Sequence, residues 1–421
     1  MSTQAETPAI APADIDLMDP KVQENPYDAY RQLRDIGVYH LPTNGMYVIT
    51  RYDHIAEIVR NPEEFSEDLA AHAPPPTTDE EMNAIYREKG FERQPTFMLD
   101  PPNHTTYREL IDPFFFPAKL REFEPFIQQT IDALIDNFVD RGECEFVTDF
   151  GFPLPAAVIT NMLGLPMEDL PKLKHYAEAW VKPFAMGLGR KEKLEATEII
   201  CEFQHYLVDQ AEKKRANPDH GLLSMLVHAT YKGLDGTERK LTTREVLSFS
   251  ETAAVGGHET TANALSSGMM LYVQNPDVQR GLAENPAAIK NYVEEVLRLE
   301  SPTQGMFRAT TRDVEFHGFT IPKGKIVNLR FAAANRDERM FPNADKIDIN
   351  RPNAGRHMAF SQGIHHCLGA PLARIELNRA FRSLFGRLKN IRFKPGHEHP
   401  EHIPGFTLRA LKDLHISFEK A

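Results

Sequence analysis

Apolar residues recur mostly at helical spacing along this chain, and short alternating runs interrupt that spacing at a few places. The spacing predicts helices over Tyr27–Ile36 and Tyr52–Arg60. Between them, Val38–Tyr52 alternates around Asn44-Gly45, which indicates a β-hairpin. Ala71–Pro95 is irregular and contains several prolines, so it is predicted to be a long connection without regular structure.

The rest of the chain continues this mainly helical pattern. Seven or eight helical segments are predicted between residues 103 and 299, and Leu241–Gln274 is predicted to be one long helix. Strands are predicted over Val314–Arg330 and from Ile391 onward, with a helix at Leu368–Leu388 between them. The fold class is therefore predicted to be mainly α with small β-sheets.

Neither an internal repeat nor a linker divides the chain into halves. We therefore predict one domain over residues 25–421, preceded by a flexible polar arm over residues 1–24. The 421 residues are 41% hydrophobic and 26% charged, which is a globular composition and excludes collagen-like and low-complexity classes. A net charge of −12 argues against a nucleic-acid partner. The longest uncharged stretch, Phe150–Met167, contains three prolines, so no membrane span is expected.

The chain has three cysteines: Cys144, Cys201 and Cys367. They are too few and too scattered for a disulfide framework or a cysteine-rich zinc site. This usage is typical of a reducing compartment, and no signal sequence is visible at the N-terminus. A cytoplasmic location is therefore expected.

Cys367 lies in the most distinctive motif of the sequence. The spacing is Phe360-x-x-Gly363-x-x-x-Cys367-x-Gly369, and Pro371 favours a helix start directly afterwards. A cysteine at a helix N-terminus faces unpaired N–H groups, which stabilise a thiolate that can bind a soft metal or haem iron. The alternative is a buried cysteine that acts as a small apolar side chain.

A second motif lies in the middle of the predicted long helix. The adjacent glycines Gly256 and Gly257 each cost about 1 kcal/mol relative to alanine within a helix, so a packing or functional reason is expected. Glu259 and Thr260 follow and place a carboxylate and a hydroxyl beside the bare helix surface. The alternative is close helix packing at the glycines with an exposed glutamate.

A third motif is Glu295-x-x-Arg298, an (i, i+3) pair of opposite charge. Alone it indicates no more than a surface salt bridge worth under about 1 kcal/mol. The three motifs in this order resemble the cytochrome P-450 superfamily of haem-thiolate monooxygenases, and most of all its bacterial members without a membrane anchor. The resemblance implies that Arg351 joins Glu295 and Arg298, and that these three residues form a structural ion network.

The resemblance implies the P-450 fold, with haem b between the long central helix and the helix that follows the cysteine loop. Cys367 is then the metal ligand, and Thr260 with Glu259 is the catalytic pair that delivers protons during oxygen reduction. Further cofactor-binding residues implied are His104, Arg108, Arg308, His357 and His365 toward the propionates, and Phe360, Gly363, Gly369, Gly256 and Gly257 around the ring. The implied substrate pocket contains Phe97, Met98, Phe184, Met186, Ala253, Thr303, Met306, Phe307 and Phe406.

The implied reaction inserts one oxygen atom from O2 into a small or medium hydrophobic compound, typically as a hydroxylation. No flavin or nicotinamide fingerprint is present, so a separate ferredoxin or flavodoxin with its reductase is expected to supply electrons. These carriers are usually acidic, and the candidate docking cations are Lys119, Arg121, Arg108 and Arg374. A monomer is expected.

Two alternatives to this enzyme remain open. A non-catalytic haem-thiolate sensor or carrier would keep Cys367 but would have no need of Glu259 and Thr260. An unrelated all-α protein with a buried Cys367 would match the three motifs only by accident.

Overall fold

The computed structural model describes residues 15–73, 79–182 and 188–421. Helices dominate these ranges and are numbered in chain order. They are α1 (Pro20–Glu24), α2 (Tyr27–Ile36), α3 (Tyr52–Ile58), α4 (Leu69–His72), α5 (Asp79–Lys89), α6 (Asn103–Ile111), α7 (Pro117–Leu120), α8 (Glu124–Asp136), α9 (Pro153–Leu163), α10 (Leu170–Val181), α11 (Arg190–Ala216), α12 (Leu222–His228), α13 (Thr243–Gly256), α14 (Glu259–Gln274), α15 (Pro276–Glu284), α16 (Ile289–Leu299), α17 (Phe331–Ala334) and α18 (Ala370–Arg387).

The strands are short and form small sheets at the edges of the helical body. They are β1 (Val38–His40), β2 (Tyr47–Ile49), β3 (Phe65–Ser66), β4 (Glu143–Glu145), β5 (Thr230–Lys232), β6 (Glu238–Lys240), β7 (Met306–Thr310), β8 (Val314–Phe316), β9 (Phe319–Ile321), β10 (Ile326–Leu329), β11 (Leu388–Phe393), β12 (His402–Ile403), β13 (Ala410–Leu411) and β14 (His415–Lys420). The predicted fold class, mainly α with small sheets, is confirmed.

Strands from distant parts of the chain share sheets. The largest sheet has the order β1-β2-β10-β7-β3, in which only the β2–β10 pair is parallel. A second sheet has the order β11-β14-β4. The hairpin predicted around Asn44-Gly45 is confirmed as β1–β2, and Tyr27–Ile36 is helical with the predicted bounds.

The prediction of an irregular connection over Ala71–Pro95 is wrong, because α5 lies within it. Met82 and Tyr86 of this helix pack against Ile200 and Cys201 of α11. Two buried side chains four positions apart are enough to hold α5 against the longer α11, although most residues of α5 are polar. Residues 74–78 lie outside the described residues.

The arm predicted over residues 1–24 is too long at its C-terminal end. Residues 1–14 lie outside the described residues, but Ile15 and Leu17 are buried against Tyr30 and Leu33 of α2. The Tyr39 hydroxyl also donates to the carbonyl of Ile15 at 2.9 Å. Two apolar side chains and one buried hydrogen bond therefore hold this segment on the fold.

The predicted single helix over Leu241–Gln274 is two helices in the structure. Thr242 and Glu245 form the capping box that opens α13, and this helix ends at Gly256. The N–H of His258 bonds the carbonyl of Val255 at 3.3 Å, and α14 begins at the next residue. The helix thus breaks within the motif, because glycine weakens it and a side-chain hydroxyl competes for the backbone carbonyl.

The helices α14, α16 and α18 pack closely beneath this break. Gly268 lies under the ring of Phe381, where a Cβ would come within 2.3 Å of the ring. The Tyr292 hydroxyl donates to the carbonyl of Gly268, which ties α16 to α14. None of the described helices combines the length and the apolar character that crossing a bilayer demands.

Candidate active site

Backbone hydrogen bonds within the loop before α18 hold Cys367 in place. The N–H of Cys367 donates to the carbonyl of Phe360 at 2.9 Å, and the N–H of His366 donates to that of Gly363 at 3.1 Å. Gly363 has φ +75°, and a Cβ there would lie 2.5 Å from the carbonyl oxygen of Val59. Only glycine allows this close approach, so the sequence fixes the loop against α3.

The Cys367 side chain is exposed, whereas Cys144 and Cys201 are buried. Desolvation by the surrounding protein raises the pKa of the Cys367 thiol, and the N–H groups of Gly369 and Ala370 oppose this effect. Burial raises the pKa of Cys201 to about 11. Cys367 is therefore the cysteine that has both an open face and backbone donors for an anionic sulfur.

The two glycines of the broken helix have different surroundings. No atom of the described residues lies within 4 Å of a Cβ built on Gly256, so this residue faces open space. A Cβ on Gly257 would lie 3.1 Å from Ile159 of α9. Gly257 therefore serves close helix packing, the alternative considered above, and Gly256 provides the bare surface.

Glu259 and Thr260 lie side by side at the start of α14. The Thr260 hydroxyl donates to the carbonyl of Gly256 at 2.8 Å, which fixes its rotamer across the break. Burial raises the pKa of Glu259, and the nearby carboxylate of Glu178 raises it further. The pair thus consists of an acid that is easily protonated and a hydroxyl oxygen whose lone pairs are free to accept.

Three of the predicted cofactor-binding cations lie together in the interior. The imidazole rings of His104 and His365 have centroids 4.3 Å apart. The Nδ1 atom of His365 lies 2.8 Å from Oε2 of Glu67, and Nη2 of Arg308 lies 3.3 Å from the same oxygen. Burial lowers the pKa of His104 to about 4, and the neighbouring His365 adds to this shift.

Glu67 is a member of this cluster that the sequence analysis missed. Burial alone would raise the pKa of its carboxyl group, but the hydrogen bond from His365 and the charge of Arg308 hold it below its usual value. Glu67 directly follows the two-residue strand β3 and has no periodic neighbours. Such a carboxylate can be recognised only when its cationic partners are known in space.

The other predicted propionate partners have different contacts. Arg108 binds Asp112 at 2.6 Å and donates to the carbonyl of His366 at 3.0 Å, so it braces the cysteine loop. The Nε2 atom of His357 lies 3.1 Å from Oε2 of Glu294. These two residues therefore hold the loop and its surroundings, while His104, Arg308 and His365 form a buried group of nitrogen donors beside Glu67.

The charge network predicted around Glu295 is buried. Nε of Arg298 lies 2.6 Å from Oε1 of Glu295, and Nε of Arg351 lies 3.0 Å from the same oxygen. Arg298 also donates to the carbonyls of Asn335 and Ala344. The network therefore connects α16 to the long segment between β10 and the cysteine loop.

The residues predicted for the substrate pocket are distributed over several surfaces. Met98 is 45% exposed, and Phe184 and Met186 lie outside the described residues. Met306 and Phe307 are neighbours on β7, so their side chains point to opposite faces, and they pack into different clusters. They cannot both face one cavity.

The remaining predicted pocket residues are half-buried or buried. The rings of Phe307 and Phe406 stack with centroids 6.3 Å apart, and Thr303 pairs with Leu408 as an isolated β-bridge. Phe97 packs edge-on against Phe249 of α13 at 5.1 Å, and Ala253 lies one turn further along that helix.

The residues present fit haem. A haem needs a soft axial donor and cations for two propionates, and it needs a flat surface free of side chains. Cys367 provides the donor, and Gly256 provides the surface. His365 adds a buried Nε2 atom that has no hydrogen-bond partner among the described residues and is open to an added ligand.

Comparisons with known proteins agree with this geometry. The family model described as cytochrome P450 matches residues 159–414. The biotin biosynthesis cytochrome P450 of Bacillus subtilis (strain 168) is 32% identical over 403 residues, which cover 94% of this chain and 97% of that protein. Vitamin D(3) 25-hydroxylase of Pseudonocardia autotrophica is 33% identical over 377 residues, which cover 88% of each chain.

A solved structure extends the similarity to the whole fold. The crystal structure of P450BioI in complex with an acyl carrier protein ligated to hexadec-9Z-enoic acid superposes with a TM-score of 0.85 at 30% sequence identity. The superposition covers 95% of this chain and all of that one.

Proposed function

The chain belongs to the cytochrome P450 family and is a haem-thiolate monooxygenase, and we propose that Cys367 is the thiolate ligand of its haem iron. In this fold the broken central helix α13–α14 and α18 would hold haem b between them. The observation that carries the proposal is the exposed Cys367, held by backbone hydrogen bonds at the start of α18, in a protein whose other two cysteines are buried.

Glu259 and Thr260 are proposed to move protons within the site. Haem, when bound, supplies the centre at which O2 is reduced and its O–O bond is cleaved. Burial and the carboxylate of Glu178 raise the pKa of Glu259, which favours the protonated carboxyl group more than at an exposed glutamate. Because the Thr260 hydroxyl hydrogen is held by Gly256, the hydroxyl oxygen can accept a hydrogen bond from water or from the acid. This arrangement favours the enzyme over a sensor or carrier.

His104, Arg308 and His365 are proposed to bind the haem propionates, with Glu67 as the carboxylate that already shares two of these cations. Burial strengthens each of these interactions, because water cannot screen them. Arg108 and His357 then hold the cysteine loop from outside.

The substrate is a hydrophobic organic compound, and we propose that its pocket includes Phe97, Ala253, Thr303, Phe307 and Phe406. Those side chains are apolar or small, and the half-buried ring of Phe307 stacks on the buried ring of Phe406. A mostly apolar lining with few polar anchors is typical of such pockets.

The electron donor is proposed to be a ferredoxin or flavodoxin with its own reductase. A cleft of about 370 Å³ opens beside the cysteine loop, and three of its lining residues are the arginines Arg60, Arg356 and Arg374. Of the docking cations predicted from the sequence, Lys119, Arg108 and Arg374 each pair with a carboxylate. Arg60 and Arg356, which are exposed, therefore extend the proposed docking surface.

The function is tested by turnover with a surrogate ferredoxin and reductase. We expect NAD(P)H consumption that depends on an added hydrophobic compound, with an oxygenated product, and loss of both in Cys367→Ser. A protein that binds haem and ligand but shows no ligand-dependent consumption would instead be the sensor or carrier.

The chain's organisation is also proposed. One domain begins at residue 15 rather than 25, because Ile15 and Leu17 pack on α2. The domain extends to the end of the chain, because β1 and β2 share a sheet with β7 and β10, and β4 shares one with β11 and β14. A monomer in the cytoplasm is expected, and light scattering and cell fractionation test these two statements.

A further inference from the structure

We infer that His397, Asp413 and His415 form a binding site for a transition-metal ion of the zinc class, separate from the haem. Within the described residues, the ligand atoms of these three side chains lie within 4.8 Å of one another. The inference does not depend on the haem assignment.

The backbone places the three side chains on one surface. His415 is the first residue of β14, and Asp413 lies two residues before that strand, with its Oδ1 atom 3.7 Å from Nε2 of His415. Leu414 between them is buried, and its N–H donates to Glu145 at 2.8 Å. The strand fixes His415, and the anchored Leu414 holds Asp413 beside it.

His397 is brought to this surface by a tight turn. The N–H of Lys394 donates to the carbonyl of His415 at 3.0 Å, and the N–H of His397 donates to that of Lys394 at 2.9 Å. Gly396, at φ +88°, makes the turn possible, and its N–H is bound by the Glu398 carboxylate. The rings of His397 and His415 consequently lie 4.1 Å apart.

The distances and donors suit zinc. Ligands of a tetrahedral ion at about 2.1 Å lie about 3.4 Å from one another, so small side-chain rotations close the observed site. Two imidazoles with one carboxylate favour Zn²⁺ over Mg²⁺ or Ca²⁺, which prefer oxygen ligands alone. The ammonium group of Lys394, on the same turn as His397, is paired with Glu143 at 2.8 Å.

Because of its position, a zinc ion at this site would affect the proposed substrate pocket. Residues 398–412, which lie between the first ligand and the other two, contain the β12–β13 pair and Phe406. The carbonyl of Phe406 accepts a hydrogen bond from Arg330 at 2.6 Å. A bound ion would close the base of this loop and restrict its opening.

The inference is tested by measuring zinc binding to the haem-loaded protein. The protein carries no histidine tag, and a chelator first removes metal ions other than the haem iron. Equilibrium dialysis should show one more zinc equivalent in the wild type than in His397→Ala/His415→Ala. The matched control His399→Ala changes an exposed histidine two residues from the site and should keep that equivalent. Equal zinc content in the wild type and the double variant would overturn the inference.

A second variant and a second readout distinguish loss of the zinc site from a folding defect. Asp413→Asn keeps the shape of the ligand but removes its charge, and should weaken zinc binding at least tenfold with an unchanged haem spectrum. Zinc should also slow tryptic cleavage after Lys412 at least threefold in the wild type and not in the double variant. Wild-type affinity in Asp413→Asn, or equal cleavage rates with and without zinc, would contradict the site and its effect on the loop.

Discussion

In the proposed propionate site, Glu67 reduces the positive charge that the buried cluster would present to haem. Arg308 and His365 both contact its Oε2 atom, so the carboxylate and the propionates compete for the same two cations. A fixed negative charge in a poorly screened interior also stabilises the more positive oxidation state of a nearby haem. Glu67 is therefore expected to lower the haem reduction potential.

Glu67→Gln should raise the haem reduction potential by tens of millivolts, where about 59 mV corresponds to a tenfold change for a one-electron couple. Spectroelectrochemical titration measures the shift, and Glu63→Gln, an exposed carboxylate nearby, is the control. A potential that is unchanged or lower, with full haem content, would show that Glu67 does not act on the haem in this way.

Thr260→Ala should release more peroxide for each product molecule, several-fold above the wild type. The substitution removes both the hydroxyl and its hydrogen bond to Gly256, whereas Thr260→Ser keeps them. Peroxide and product are measured in the same turnover assay. If the alanine and serine variants have the same coupling as the wild type, the proton role of Thr260 is wrong.

Single residues differ in how far their roles can be predicted. Gly363 could be assigned from its place in the motif, and the structure shows the close contact with Val59 that demands glycine. Gly257 could not be distinguished from Gly256, because their difference depends on which neighbour α9 presents. Glu67 gave no signal, since its partners come from remote parts of the chain.

At the scale of elements, helix caps and turns could be predicted from nearby residues. Elements that tertiary packing stabilises could not. The capping box of Thr242 and Glu245 fixed the start of α13, and the hairpin turn fixed β1–β2. The helix α5 was missed because contacts with α11 stabilise it rather than its own propensity. Periodicity alone did not predict the break after Gly256, because the apolar pattern continues on both sides of it.

Glu245 links α13 to three other elements through a buried carboxylate. It accepts hydrogen bonds from the hydroxyls of Tyr107 in α6 and Tyr231 in β5, each at 2.6 Å, and from Arg239 in β6. Burial would raise the pKa of Glu245, but these hydrogen bonds lower it to about 2 from 4.5. The carboxylate form therefore stabilises the folded state.

Because this pKa is lowered, the stabilisation is complete above about pH 4.5 and disappears as the pH falls toward 2. Glu245→Gln should lower the free energy of unfolding by roughly 2 kcal/mol at pH 7, and the deficit should shrink below about pH 4.5. Thermal unfolding followed by circular dichroism between pH 7 and 3 measures it, with the exposed Glu238→Gln as the control. A deficit that stays constant over this range would contradict the assignment.

At the scale of the whole molecule, the net charge of −12 conceals a locally basic cleft. The fold class followed from periodicity, but the mixed sheet could not, because the pairing of β2 with β10 joins residues 280 positions apart. The same long-range assembly brings Arg60 and Arg356 to one cleft, which explains why sequence motifs alone did not identify them as docking residues.

Arg356→Glu should raise the KM for an acidic ferredoxin roughly tenfold at low ionic strength, and should weaken its salt dependence. Reduction rates at several salt concentrations measure both effects. Arg215→Glu is the control, since it reverses an exposed charge on α11 and does not line the cleft. Equal effects of the two variants would indicate a general charge effect and exclude this cleft as the docking surface.

The central claim is that Cys367 is the thiolate ligand of haem iron, and the absorption spectrum of the reduced protein under carbon monoxide tests it most directly. The wild type, Cys144→Ser and Cys201→Ser should each show a strongly red-shifted Soret band, because both of those cysteines are buried away from the loop. Cys367→Ser should lose the red shift. A red-shifted band that persists in Cys367→Ser, or that disappears in either of the other variants, would contradict the account.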